Sequence, residues 1–193
     1  MMQTVEHHPL EPFIPDSARL LMLGAFPPKK EKWSMDFFYP NFINDMWRIM
    51  GSLFYDDPLY FVDCEQKRFK KEEIVRFATE KGLALYDTAT AVRRLQDNAS
   101  DKFLEVIIPT NLPHLLRQLP KCMAIVTTGQ KATDILSETF QSETPTLGSY
   151  VALKHEDRCI RHYRMPSSSR AYPMKLEKKV DYYRRMMKEI GWL

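Results

Sequence analysis

The sequence predicts an α/β fold in which four short strands form a mostly parallel sheet covered by helices on both faces. Three observations predict it. Four apolar runs of strand length each stop at glycine, proline or polar residues. Segments with apolar residues at helical spacing lie between them. The two kinds alternate along the chain, which implies parallel pairing through helical crossovers. With 193 residues and 44% hydrophobic content there is material for one well-buried core but not for two large ones. We therefore expect a single domain over 1–193, with the proline-rich and polar residues 1–18 as an N-terminal arm lying on it.

The first strand is the apolar run Leu20–Leu23 in "RLLMLGAFPP", closed by Gly24 and two prolines. A helix follows over 41–53, where Phe42, Met46, Ile49 and Met50 share one face. "KKEEIVRFATEKG" is a second helix, ended by Gly82. Residues 83–89, "LALYDTA", read as the second buried strand. "NLPHLLRQLP" is a short helix with an Asn cap and an early proline. "CMAIVTTG" over 122–129 is a β-branched third strand, and "QKATDILSETF" a helix after it. "RCIRHYRMPSSS" over 158–169 is a fourth strand running into a small polar loop. The last nineteen residues form a long basic amphipathic helix. There is no internal repeat and no low-complexity segment.

Composition narrows the function classes. Three widely spaced cysteines without a C-x-x-C pair argue against structural zinc, an iron–sulfur cluster or a disulfide framework. The five histidines lack metal-ligand spacing, and His7 and His8 read as a solvated pair. No metal and no cofactor is expected. The N-terminus has no basic start followed by an apolar run, and no apolar stretch approaches the roughly 18 residues that span a bilayer. The expectation is a cytoplasmic protein. A net charge of +3 permits nucleic acid binding without arguing for it.

In open parallel sheets, ligands bind beyond the carboxyl ends of the strands. That rule selects the loops after Leu23, Leu85, Thr128 and Arg164, and the unusual residues stand there. Gly24, Ala25, Phe26 and Pro27 lead toward the aromatic segment Phe37, Phe38 and Tyr39, outside regular periodicity. Such a platform suits a flat heterocycle, since base–aromatic stacking is worth about 1–3 kcal/mol per base; packing onto the helices is the competing reading. Asn44 can hold a water or read a base edge, or cap the next helix. Asp45 beside it reads as a cap or first-turn carboxylate. Asp87 ends the second strand, where a carboxylate meets a substrate or caps a turn. Pro166, Ser167, Ser168 and Ser169, flanked by Arg164 and Arg170, make a loop able to grip phosphate oxygens. "TTGQKA" lacks the spacing of a nucleotide-triphosphate loop, and no G-x-S-x-G elbow is present.

Taken in order, these motifs resemble the uracil-DNA glycosylase superfamily, most closely its hypoxanthine-DNA (deoxyinosine) glycosylase-like branch. "LMLGAFPP" is similar to the family's first motif, a Gly-x-x-Pro loop. "FFYPNFINDMWRIMG" is similar to the branch's paired aromatics followed by Asn and Trp, here Phe38, Tyr39, Asn44 and Trp47. "GLALYDT" resembles the second-strand block with its Asp, here Asp87, and "NLPHLL" and "TTGQKA" resemble later segments. "MPSSSRAY" resembles the final motif, where a Pro-Ser loop meets DNA. The resemblance runs from about Leu20 to Tyr172. It departs at Ala25 and Pro28, where the branch often has serines, at Pro40 and Asn41, exchanged relative to the branch's usual order, and at Met165, where many sister families have histidine.

The resemblance implies a three-layer α/β/α sandwich around a central four-stranded, mainly parallel sheet. It implies a monofunctional DNA glycosylase acting on DNA with a damaged or deaminated base, in base excision repair, without metal. Asn44 and Asp87 would be catalytic; Gly24, Ala25, Phe26, Pro27, Phe38 and Tyr39 would hold the base; Arg164, Pro166, Ser167, Ser168, Ser169 and Arg170 would hold the DNA backbone. Lys29 and Lys30 near the first loop leave Schiff-base chemistry open. Two other readings remain at this stage: a nucleic-acid-binding member of the fold without activity, and a hydrolase of free nucleosides.

Overall fold

The structure is a computed structural model that describes residues 4–96 and 101–193. Its strands are β1 (Val5–His7), β2 (Leu20–Gly24), β3 (Val62–Asp63), β4 (Arg68–Phe69), β5 (Leu83–Asp87), β6 (Ala89–Arg94), β7 (Leu104–Pro109), β8 (Ala124–Thr128), β9 (Tyr150–His155) and β10 (Arg158–Met165). Its α-helices are α1 (Met46–Tyr55), α2 (Lys71–Lys81), α3 (Leu112–Arg117), α4 (Gln130–Phe140) and α5 (Leu176–Glu189).

The central sheet has the order β5-β2-β8-β10-β9. The first four strands pair in parallel, and β9 adds an antiparallel edge. Every residue of β2, β5 and β8 is buried, which is why they read as continuous apolar runs: helices cover both faces. The four expected strands are these and β10. The fifth was not expected, because β9 is an edge strand with exposed residues at Tyr150, Ala152 and Lys154 and a weak apolar signal.

The chain steps from β2 outward to β5, then back across β2 to β8 and on to β10. With right-handed crossovers, α1 and α2 cover one face and α3 and α4 the other. Helix α5 packs on α1 and β10, completing the first layer. This is the three-layer α/β/α arrangement. Helix α1 starts five residues later than periodicity suggested, because 41–45 form a turn ahead of it.

A second, antiparallel sheet, β1-β6-β7, was not expected. Strand β6 leaves β5 after one residue: Thr88 N–H donates to the Gly24 carbonyl at 2.8 Å, and Ala89 N–H to that of Ala25 at 3.2 Å. The sheet thus stands beyond the carboxyl ends of β2 and β5. A small apolar cluster of Ala25, Phe26, Ala89, Val92 and Leu104 ties it there. The N-terminal residues supply β1 to this sheet, and Phe13 exchanges both backbone hydrogen bonds with Leu85 at 3.0 Å.

Candidate active site

The reversal of strand order around β2 opens a crevice at the carboxyl ends of β2, β5 and β8, the position where open α/β sheets bind ligands. A cavity of about 110 Å³ lies there. Residues 24–28 form one wall and Ser167–Ser169 another, while Phe38, Tyr39, Asn44, Asp87 and Thr128 complete the lining. Segments more than a hundred residues apart in sequence therefore meet at one slot.

Asp87 is the last residue of β5, paired in register with Gly24. A Cβ on Gly24 would lie 2.6 Å from Asp87 Oδ1, so the glycine gives that oxygen its place. The other oxygen, Oδ2, is 2.7 Å from His8 Nε2. His8 Nδ1 accepts from Leu10 N–H at 3.1 Å, so the ring proton sits on Nε2 and is donated to Asp87. His8 packs at a tilt against Tyr86 and meets Phe26 edge-on, with centroids 4.7 and 5.3 Å away. Its side chain is 2% exposed. The expected solvated pair is therefore corrected: His7 is exposed, but His8 is inserted under the first loop, because strand pairing of β1 alternates the two residues between faces.

The aromatic segment divides. Phe37 packs edge-on against Phe13 and stacks near Trp47, so it belongs to the core rather than to a platform. Phe38 is buried as well but lines the cavity, and Trp47 Nε1 holds its carbonyl at 3.0 Å. Tyr39 takes a left-handed backbone, φ 52°, which turns its ring into the lining. Its hydroxyl is 3.3 Å from Thr128 Oγ1. Burial pushes the Tyr39 phenol far above its ordinary range, so it stays protonated.

Asn44 caps α1: its Oδ1 accepts from Met46 N–H at 2.9 Å. The cap leaves the Nδ2 group as a donor without a protein partner among the described residues, at the cavity lining. Asp45, next to it, is the anchor of the site. Its N–H donates to the Ser168 carbonyl at 2.9 Å. Its carboxylate binds Arg170 Nε at 3.0 Å and Lys179 Nζ at 3.2 Å. Lys179, fully buried, also donates to the Ser169 carbonyl at 2.9 Å. This network fixes the serine loop against the start of α1, and so against Asn44.

Two of the expected backbone-contact residues lie elsewhere. Arg164 does not line the cavity; its guanidinium binds Gln130 Oε1 at the start of α4. Pro166 is buried under the loop, where its carbonyl accepts from Tyr183. Arg170 is spent partly on Asp45. Ser167 and Ser169 Oγ accept from the N–H groups two residues on, which shapes the loop and leaves their O–H protons free to donate. Lys30 pairs with Asp36 on the outside, at 2.5 Å, and neither Lys29 nor Lys30 lines the cavity.

The sequence reading missed His8, Thr128, Lys179 and Asp101 as site residues and gave Asp45 only the part of a cap or first-turn carboxylate. Lys179 carried a signal, since it shares a face at helical spacing with Leu176, Val180, Tyr183 and Met187, where an apolar residue is the rule. Gly24→Ala offers a check on the geometry. The Cβ would strike only a carboxylate tip, so the fold should hold and Tm stay within a few degrees. The displaced Asp87 should lower any activity of the site at least about tenfold, the size of a small misplacement of a reacting group. Unchanged activity would detach Asp87 from the chemistry.

No protein-family model matches the chain, and no curated protein is significantly similar to it in sequence. Solved structures are similar in fold. One is the solution NMR structure of a protein from Methanosarcina acetivorans described as a "putative Uracil DNA glycosylase". It aligns with a TM-score of 0.61 at 18% identity, over 96% of this chain and 99% of that one. The class is thus an α/β/α protein sharing that architecture over nearly its whole length.

Proposed function

We propose that this protein is a DNA glycosylase of the uracil-DNA glycosylase superfamily, hydrolysing the N-glycosidic bond of a deaminated or damaged base of the uracil or hypoxanthine class. The observation that carries the reading is the convergence of Asn44, Asp87, Tyr39 and Ser167–Ser169 on one cavity at the sheet's carboxyl edge.

A base inside a duplex is out of reach, so it must be extruded at a cost of a few kcal/mol. The serine loop, braced by Asp45 and Lys179, offers O–H donors to the flanking phosphates, and its rigidity reduces the ordering cost of binding. The extruded base enters between the 24–28 loop and Tyr39, with Phe38 at its edge. As the bond stretches, positive charge builds on the sugar and negative charge on the base. The Asp87 carboxylate, held by His8, stabilises the sugar and accepts a proton from the attacking water. The Asn44 amide N–H groups donate to the base or the water. Among the described residues no lysine lines the cavity, which favours direct attack by water over a Schiff base.

The test is incubation with labelled duplexes carrying uracil, hypoxanthine, xanthine or a thymine mismatch, followed by alkali. Strand scission at one or more of the lesions is expected, with Asn44→Ala at least about tenfold slower, the scale of a lost transition-state donor. Salt-sensitive DNA binding without scission would select a binding module of the same fold. Turnover of free nucleosides alone would select a small-molecule hydrolase.

A further inference from the structure

We propose that Asp101 is a second catalytic carboxyl of this site, the proton donor to the departing base, working opposite Asp87 as the proton acceptor. The inference rests on the glycosylase reading and adds to it a residue that no motif contained.

Asp101 opens a short 3-10 turn, Asp101–Phe103, in the connection from β6 to β7. The unexpected second sheet thereby carries it to the same cavity that Asp87 lines, next to Ser167. Its Oδ2 is 3.8 Å from where a Gly129 Cβ would stand, which places it over the start of α4. Despite that setting, the Asp101 carboxyl makes no hydrogen bond and no ion pair among the described residues. The nearby cations are committed elsewhere. Arg94 from β6 binds Glu6 and the Pro27 carbonyl. Lys131 from α4 donates to the Leu104 carbonyl at 2.7 Å. Among the described residues, the remaining titratable groups facing it are Asp87 from β5, a like charge, and the Tyr39 phenol, which is neutral.

The two carboxyls therefore live in opposite environments. Asp87 receives a hydrogen bond from His8 Nε2–H on Oδ2, which fixes the orientation of its carboxylate in the cavity. Asp101 is desolvated and faces the Asp87 charge, and these together push it up to about 6. A carboxyl raised in this way beside a second carboxyl is suited to the acid's part, which leaves the base's part to its partner. In the step, the C1′–N bond breaks and its electron pair leaves with the base. The proton on Asp101 passes to that base. Water adds to C1′, and the proton it loses goes to Asp87. Solvent then carries a proton from Asp87 back to Asp101, and the sum is hydrolysis.

Two measurements test this. The first is the single-turnover rate of base release against pH for the wild-type protein and Asp101→Asn. The wild type should slow as pH rises above about 6, approaching tenfold per unit. Asp101→Asn should lose that limb and run about 10²–10⁴-fold slower at pH 6, the usual scale of acid–base help. The second is a carbon NMR titration of the free protein, in which the Asp101 carboxyl should titrate near 6 and fall when Asp87 is changed to Asn. A wild type that releases base, with Asp101→Asn matching its rate and profile, overturns this inference alone. An Asp101 carboxyl titrating below about 4.5 overturns it whatever the activity. No base release by the wild type, with Asp101 titrating near 6, removes the glycosylase reading and the donor role with it.

Discussion

Asp87→Asn is expected to lower the single-turnover rate of base release by about 10²–10⁴-fold while leaving the protein folded. The range is that of a lost, positioned proton acceptor. Asparagine matches the carboxylate in shape, so the space beside Gly24 stays filled and the His8 Nε2–H still finds an oxygen. What goes is the negative charge facing the sugar and the capacity to take a proton. His8→Ala separates orientation from charge. The carboxylate would remain but lose the hydrogen bond that aims it, so a smaller fall is expected, mainly in the maximal rate rather than in DNA affinity. Should Asp87→Asn retain the wild-type rate, the carboxylate has no part in the chemistry, and Asn44 would have to act without it.

Asp45→Ala is expected to cost about 3–5 kcal/mol of stability, the range for removing one partner of a buried ion pair. Its carboxylate side chain is 7% exposed and that of Lys179 is 0% exposed, so the change strands an ammonium with only the Ser169 carbonyl for company. The contact to Arg170 adds little, since that side chain is 49% exposed and solvent-screened. Lys179→Met should cost less than Asp45→Ala, because Asp45 keeps Arg170. The double variant Asp45→Ala/Lys179→Met should regain much of the loss, since replacing a whole buried pair with apolar groups is often close to neutral. Urea unfolding of the three proteins gives the order. The regained stability should come without regained DNA affinity, because the serine loop would still lack its tether to α1. Stabilities equal to that of the wild type in all three would mean the pair contributes nothing to holding that loop.

The central sheet was readable because β2, β5 and β8 are buried on both faces, and continuous burial leaves a continuous apolar run in the sequence. Loops at their carboxyl ends follow from topology alone, which is why Gly24, Asp87 and the serines could be placed near one another without coordinates. The side sheet was not readable. Strand β7 has the burial of a half-covered edge, with Ile107 and Ile108 exposed, and the opposite edge, β1, pairs with β6 from some eighty residues away. Nothing local announces such pairing. Asp101 reaches the cavity, and His8 reaches Asp87, on that sheet or beside it, so they were lost with it. Asn44 and Asp45 show a different limit. Both were seen, but which of two adjacent polar residues faces the cavity and which the buried lysine depends on the turn over 41–45, a matter of backbone geometry. The aromatic run shows a third. Phe37, Phe38 and Tyr39 are alike in chemistry, and only the backbone path through them, left-handed at Tyr39, puts Phe37 in the core and the other two at the lining.

The most direct measurement is the yield of free base and abasic strand from one tube, by mass spectrometry, with a duplex holding a single uracil or hypoxanthine. The wild-type protein is expected to give equimolar amounts of both, and little of either when Asn44 and Asp87 are replaced together. A folded wild-type protein that leaves every damaged strand intact contradicts it.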